Sequence, residues 1–157
     1  MLLVTDENRD KVELDKKLCR EQFPVHKKYE VIYADPPWEY SMMTSKLSNN
    51  CQHHYPTMNL NDLKLLPIKE ISSKDCSLFL WTSNPKLPEA LELMKHWGFE
   101  YKTVFKVWRK TNQDGSPVMV PGWWSRSSTE LLLVGSKGGP LKDKTKLNEP
   151  QEYASER

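Results

Sequence analysis

Four short apolar runs punctuate a largely polar chain, and their spacing predicts strands alternating with helices. Val31 to Ala34 is nearly continuous in apolar residues, the pattern of a strand with both faces covered by helices. Ser77 to Thr82 reads as a second buried strand and Tyr101 to Trp108 alternates as a third. Glu130 to Gly135 makes a fourth, after a loop of Gly, Pro, Trp and Ser. Asn59 is placed to cap a short helix running to Leu66, with Pro67 stopping it. From Asn84 to Gly98, the residues Leu87, Ala90, Leu91, Met94 and Trp97 fall on one helical stripe, with Pro88 in the first turn and Gly98 closing the C-terminus. That stripe makes Trp97 a core residue. Strand, helix, strand, helix, strand implies an α/β sheet with parallel crossovers.

Outside these runs the chain divides into a charged N-terminal arm or helix over residues 1–28 and a domain over residues 29–157. Between Glu39 and Met58 lies a polar loop rich in Ser, Asn and Met; at about twenty residues it is of the length that serves as a lid or binding loop. With 157 residues there is room for one core. A net charge of +2, from 23 basic and 21 acidic residues, excludes a nucleic-acid packaging protein, so contact with a polyanion has to come from local clusters. Two such clusters exist, Lys102, Lys106, Arg109 and Lys110, and Lys137, Lys142, Lys144 and Lys146; each reads as phosphate contacts or as solvated loop charge. Cys19, Cys51 and Cys76 show no CxxC spacing, which argues against a disulfide framework and a zinc site, and the adjacent His53 and His54 lack a third ligand. No metal is expected. No run approaches a membrane span and the N-terminus lacks signal-peptide character, so a soluble intracellular protein is expected, cytoplasm and nucleus being indistinguishable.

The densest chemistry follows the first strand. Asp35-Pro36-Pro37-Trp38 places a carboxylate and a stiff turn at a strand's carboxyl end, where open α/β sheets bind ligands. Proline fixes φ and has no N–H, so the turn offers acceptors, namely the Asp35 carboxylate and the peptide carbonyls. An exocyclic amine needs such acceptors, and Trp38 adds a flat face for a base. The bland reading is a turn with an aromatic staple.

Ala34-Asp35-Pro36-Pro37-Trp38 resembles the DPPW signature of the MT-A70 family of S-adenosylmethionine-dependent adenine-N6 methyltransferases. The resemblance extends over most of residues 29–137. His54 to Met58 is similar to the family's Y-x-T-M element and Leu78 to Thr82 to its LFLW strand. Trp97-Gly98-Phe99 with Trp108-Arg109-Lys110 resembles its W-G-[FY]…W-x-K segment, and Trp124-Ser125-Arg126 with Glu130 to Gly135 its W-x-R-x-x-x-E…VG stretch. The resemblance implies a Rossmann-like methyltransferase sheet in circularly permuted order. It also implies a catalytic turn of Asp35, Pro36, Pro37 and Trp38, with Asp35 also facing the cofactor S-adenosylmethionine. Tyr55, Trp124, Arg126 and Glu130 would form the acceptor pocket, Glu130 ordering it through a charge-assisted pair.

The family further implies an HSxKP-like motif, an ELFAR-like strand and an Asn-rich closing motif after the fourth strand. This sequence stops at Glu152 to Arg157, so the sheet is expected to be incomplete at its C-terminus, with an unpaired edge. Three functions follow as alternatives: methylation of adenine N6 in DNA or RNA, a catalytically inactive nucleic-acid-binding subunit or fragment needing a second methyltransferase-like chain, and an α/β interaction domain using some of its six tryptophans.

Overall fold

The computed structural model describes Phe23 and residues 25–40, 57–119, 124–139 and 150–156. The N-terminal arm up to residue 22, most of the loop after Glu39 and the lysine run from residue 142 to 146 lie outside the described residues. Five strands form one sheet: β1 (Tyr29–Ala34), β2 (Ser72–Ser83), β3 (Glu100–Thr111), β4 (Thr129–Lys137) and β5 (Glu152–Glu156), in the order β1-β2-β4-β3-β5. The helices are α1 (Leu60–Lys64), α2 (Ile68–Ile71) and α3 (Leu87–His96), the last entered through a 3-10 turn at Asn84–Lys86.

Parallel crossovers account for only part of this sheet. β1 pairs parallel with β2 and β3 with β5, but β4 inserts between β2 and β3 and runs antiparallel to both. The connection from β3 to β4 holds no helix among its described residues, so β4 can return directly beside β3, as consecutive antiparallel strands do. Two short elements were not evident in the pattern, α2 and β5, both lacking a clear period in four or five residues.

The strands alternate between two unlike faces. Ile32, Leu78, Leu80 and Leu133 point to one side and are buried there with Ala90, Leu93, Met94 and Trp97 of α3 and Leu63 of α1. Burying each such large side chain contributes about 1.5–3 kcal/mol. On the other side, Val31 and Tyr33 are 50% and 64% exposed. The expectation that both faces of β1 are covered is therefore corrected: the described helices cover one.

The caps behave as the sequence suggests. The Asn59 side chain accepts from the Asp62 N–H at the start of α1. At the end of α3, the Phe99 N–H donates to the Met94 carbonyl at 2.9 Å and the Gly98 N–H to the Lys95 carbonyl at 3.0 Å, the paired bonds of a Schellman motif. This requires Gly98 at φ 87°, a left-handed backbone that a Cβ disfavours. Trp97, closing the helix, is 1% exposed and donates its indole N–H to the Leu63 carbonyl, tying α3 to α1. Gly98→Ala should lower unfolding free energy by about 1–2 kcal/mol, read as a lower denaturation midpoint at unchanged denaturant slope.

Candidate active site

β4 runs against its neighbours, so its first residues lie at the rim where β1, β2 and β3 end. Ser83 at the end of β2 and Trp108 near the end of β3 are both register partners of Glu130, the second residue of β4. Asp35 follows β1 at the same rim, and Lys110 lies one face-repeat beyond Trp108. The sheet thus gathers Asp35, Ser83, Lys110 and Glu130 from four strand ends.

The turn after β1 is built by its prolines. The Trp38 N–H donates to the Pro36 carbonyl at 2.8 Å, closing a three-residue turn around Pro37. The Pro37 carbonyl accepts from the Met58 N–H at 2.8 Å, and the Met58 carbonyl accepts from the Glu39 N–H at 3.1 Å, so the segment after the long loop is stitched to the turn. Asp35 stays exposed while Pro36 is buried. The Pro36 oxygen keeps a second lone pair beyond the one holding Trp38.

Trp38 is not the stacking face the sequence suggested. It is 7% exposed, lies in the core and donates its indole N–H to the Trp81 carbonyl at 3.1 Å. An aromatic so buried anchors the turn to β2. Flat surface is offered instead by the open face of the sheet. There Phe79 meets Phe105 edge-on at 5.0 Å, Trp81 meets Trp108 edge-on at 6.1 Å, and the Trp81 indole N–H bonds the Tyr33 hydroxyl. Phe79 and Trp81 belong to the LFLW strand and Trp108 to the W-x-K segment, but only strand alternation and the observed register bring the rings together.

Glu130 forms a charge-assisted pair with Lys110. The Lys110 ammonium also lies 4.9 Å from the centroid of the Trp108 ring. Partial burial, reinforced by the Glu130 carboxylate, pushes the Asp35 carboxyl above the ordinary aspartate range, while the Lys110 ammonium pulls it down. The sequence placed Lys110 in the W-x-K segment and in a basic cluster that read as phosphate contacts or as solvated charge, without a role at this rim. The cluster is engaged within the fold: Lys102 pairs with Glu100, Lys106 donates to the Pro150 carbonyl, and Arg109 pairs with Glu152 across β3 and β5. Alternation along β3, with Lys110 two residues from Trp108, was the available signal.

The remaining expected site residues are not all at this rim. Trp124 is 100% exposed and Arg126 is exposed too, with no described bond from either to Asp35 or Glu130. Tyr55 lies outside the described residues, as do His53 and His54. Among the described residues no three His, Cys, Asp or Glu side chains gather as a metal site, and Cys76 is a free buried thiol whose pKa burial pushes up. No described helix is long and apolar enough to cross a membrane. A cavity of about 160 Å³ beside the turn, lined by Trp38, Met58, Lys86 and Glu89, falls below the roughly 300 Å³ at which small-molecule pockets begin.

A mixed α/β sheet with an acceptor-rich Asp-Pro-Pro turn at its carboxyl rim defines a methyltransferase-like domain. The MT-A70 family model matches residues 29–154, and the chain belongs to that family. It is 40% identical over 128 residues to the type II methyltransferase M.MunI of Mycoplasma sp, covering 71% of this chain and 52% of that protein. It is 30% identical over 115 residues to the human N(6)-adenosine-methyltransferase catalytic subunit METTL3, covering 72% of this chain and 18% of that protein. The Drosophila melanogaster N(6)-adenosine-methyltransferase MT-A70-like protein is likewise 30% identical over 115 residues, covering 72% and 17%. The chain thus spans about half the length of the first of these relatives and less than a fifth of the other two.

Trp38→Phe, which keeps one six-membered ring but loses the pyrrole part of the indole and its bond to Trp81, should cost about 1–3 kcal/mol of stability. Trp38→Ala should cost about 3–5 kcal/mol, whereas Trp124→Ala should stay within about 0.5 kcal/mol; denaturant unfolding of the three variants checks the contrast.

Proposed function

We propose that this chain forms the acceptor part of an S-adenosylmethionine-dependent methyltransferase acting on the N6 amine of adenine in DNA or RNA. The observation that carries the reading is the exposed Asp35 carboxylate beside the Pro36 carbonyl at the rim of a family-matched sheet. Both groups accept hydrogen bonds and neither proline can donate one, which suits an amine bearing two protons.

An adenine N6 lone pair is delocalised into the ring, so the amine is a weak nucleophile that has to be oriented. Asp35 would accept one N6 proton and the free lone pair of the Pro36 carbonyl the other, favouring a pyramidal nitrogen. The turn is held against reorganisation by the Trp38 anchor on β2 and the Met58 stitch on Pro37. Bound S-adenosylmethionine would supply an electrophilic methyl whose bond to sulfur breaks as the N6–carbon bond forms, the surplus proton leaving N6 for solvent. The exposed Asp35 carboxylate at the rim suits the cationic sulfonium end. Asp35 would take the cofactor side as well. In a duplex, the base would have to be turned out of its stack to reach this rim.

With the acceptor turn first in the chain, we read the domain as circularly permuted. A second methyltransferase-like chain is the partner that suits β1, an edge strand with one face exposed among the described residues. If calorimetry detects no S-adenosylmethionine binding to the chain alone but does so in the presence of such a partner, the inactive-subunit reading replaces that of a self-sufficient enzyme.

Asp35→Ala should lower methyl transfer to adenine-containing DNA or RNA oligonucleotides by about a hundredfold or more, with circular dichroism unchanged. Transfer at the original rate by the folded variant would overturn the assignment. Protonated Asp35 donates where an acceptor is needed, and its pKa is raised, so activity should fall with decreasing pH along a limb above the ordinary aspartate range. A pH–rate profile of the active enzyme measures that limb.

A further inference from the structure

We propose that Lys110 is a positioning residue of the acceptor rim. Held over the Trp108 indole, its ammonium clamps the Glu130 carboxylate and supplies the positive charge that lets Glu130 and Asp35 stand together. The inference rests on reading the Asp35 rim as the acceptor site, and adds to it a residue that touches neither amine nor methyl donor.

Three observations converge on Lys110. Its ammonium is in direct contact with the Glu130 carboxylate, and the two side chains are only 16% and 32% exposed. The pair is therefore withdrawn from bulk water, unlike surface ion pairs of marginal worth. Trp108, opposite Glu130 in the β3–β4 register, lies beneath the ammonium at 4.9 Å and supplies a cation platform. The Trp108 indole N–H is itself buried without a partner among the described residues. A buried N–H left unsatisfied costs about 1–3 kcal/mol, which the contacts of the ring have to offset.

Charge counting then links the clamp to Asp35. Two carboxylates at one rim repel, and Lys110 on β3, beyond β2 and β4 in the sheet order, is the cation acting on Asp35. Arg109 and Glu152 neutralise each other at 3.0 Å. Removing the ammonium would free the Glu130 carboxylate from its partner and leave both charges unbalanced. The acceptor form of Asp35 would then be lost at a higher pH, and Glu130 would lose its fixed geometry.

The test is a titration of Asp35 itself, followed by NMR in protein labelled with ¹³C at the aspartate carboxyl, the resonance being assigned with Asp35→Asn. Lys110→Met should move the Asp35 midpoint up, Lys110→Arg should return it towards the original, and Glu130→Gln should move it down. In a methyl-transfer assay run in parallel, Lys110→Met should reduce kcat by about tenfold to a hundredfold at neutral pH with little change in the KM for oligonucleotide, and the loss should shrink as pH rises. Unmoved midpoints in Lys110→Met and Glu130→Gln overturn the proposal. If Lys110→Met fails to fold, an upward or absent shift in Glu130→Gln overturns it alone. Midpoints that shift as expected while the original protein, with or without a partner chain, transfers no methyl to adenine would keep the clamp and reject the function proposed for the rim.

Discussion

The antiparallel insertion of β4 between β2 and β3 is the constraint on which the rim depends. A parallel strand at that position would start at the opposite end of the sheet and carry Glu130 most of the length of a nine-residue strand, roughly 25–30 Å, away from Asp35. Reversing one strand lets a residue at a strand's beginning meet residues at three strands' ends. The β3 and β2 registers then place Trp108, Glu130 and Ser83 in one row, and the ladder hydrogen bonds that fix this row also fix the site.

Given that geometry, the balance of charge matters more than the number of contacts. The rim holds two carboxylates and one ammonium, so it is attractive to a cation. Elsewhere on β3, Lys102 pairs with Glu100 and Arg109 with Glu152, while Lys106 donates to the Pro150 carbonyl. Exposed pairs of that kind contribute about 0–1 kcal/mol each and can exchange partners. The half-buried Lys110–Glu130 pair cannot do so without leaving a charge poorly solvated.

Much of the fold was legible in the sequence because it is written in local chemistry. Asn59, Gly98 and the stripe through Met94 and Trp97 declare their roles within a few residues, and caps and helical periodicity are local signals. The direction of β4 is not local: Glu130 to Gly135 reads as a buried strand whichever way it runs. The same limit applies to the site. Asp35 and its prolines announce an acceptor turn by composition, but whether Trp38 faces solvent or core depends on Trp81, 43 residues away, whose carbonyl takes its indole proton. The partner of Glu130 is settled by register, and one residue's slip would exchange Lys110 for a neighbour on the other face.

Trp81 joins the two halves of the rim. Its carbonyl holds Trp38 and through it the Asp35 turn; its ring meets Trp108, on which Lys110 rests; its indole N–H holds Tyr33 at the end of β1. The acceptor turn and the charge pair are consequently surveyed from one benchmark. Errors in their placement are correlated: a displacement of Trp81 carries the carboxylate and its counter-charge together, so their spacing tolerates breathing of the sheet that would separate two independently anchored groups.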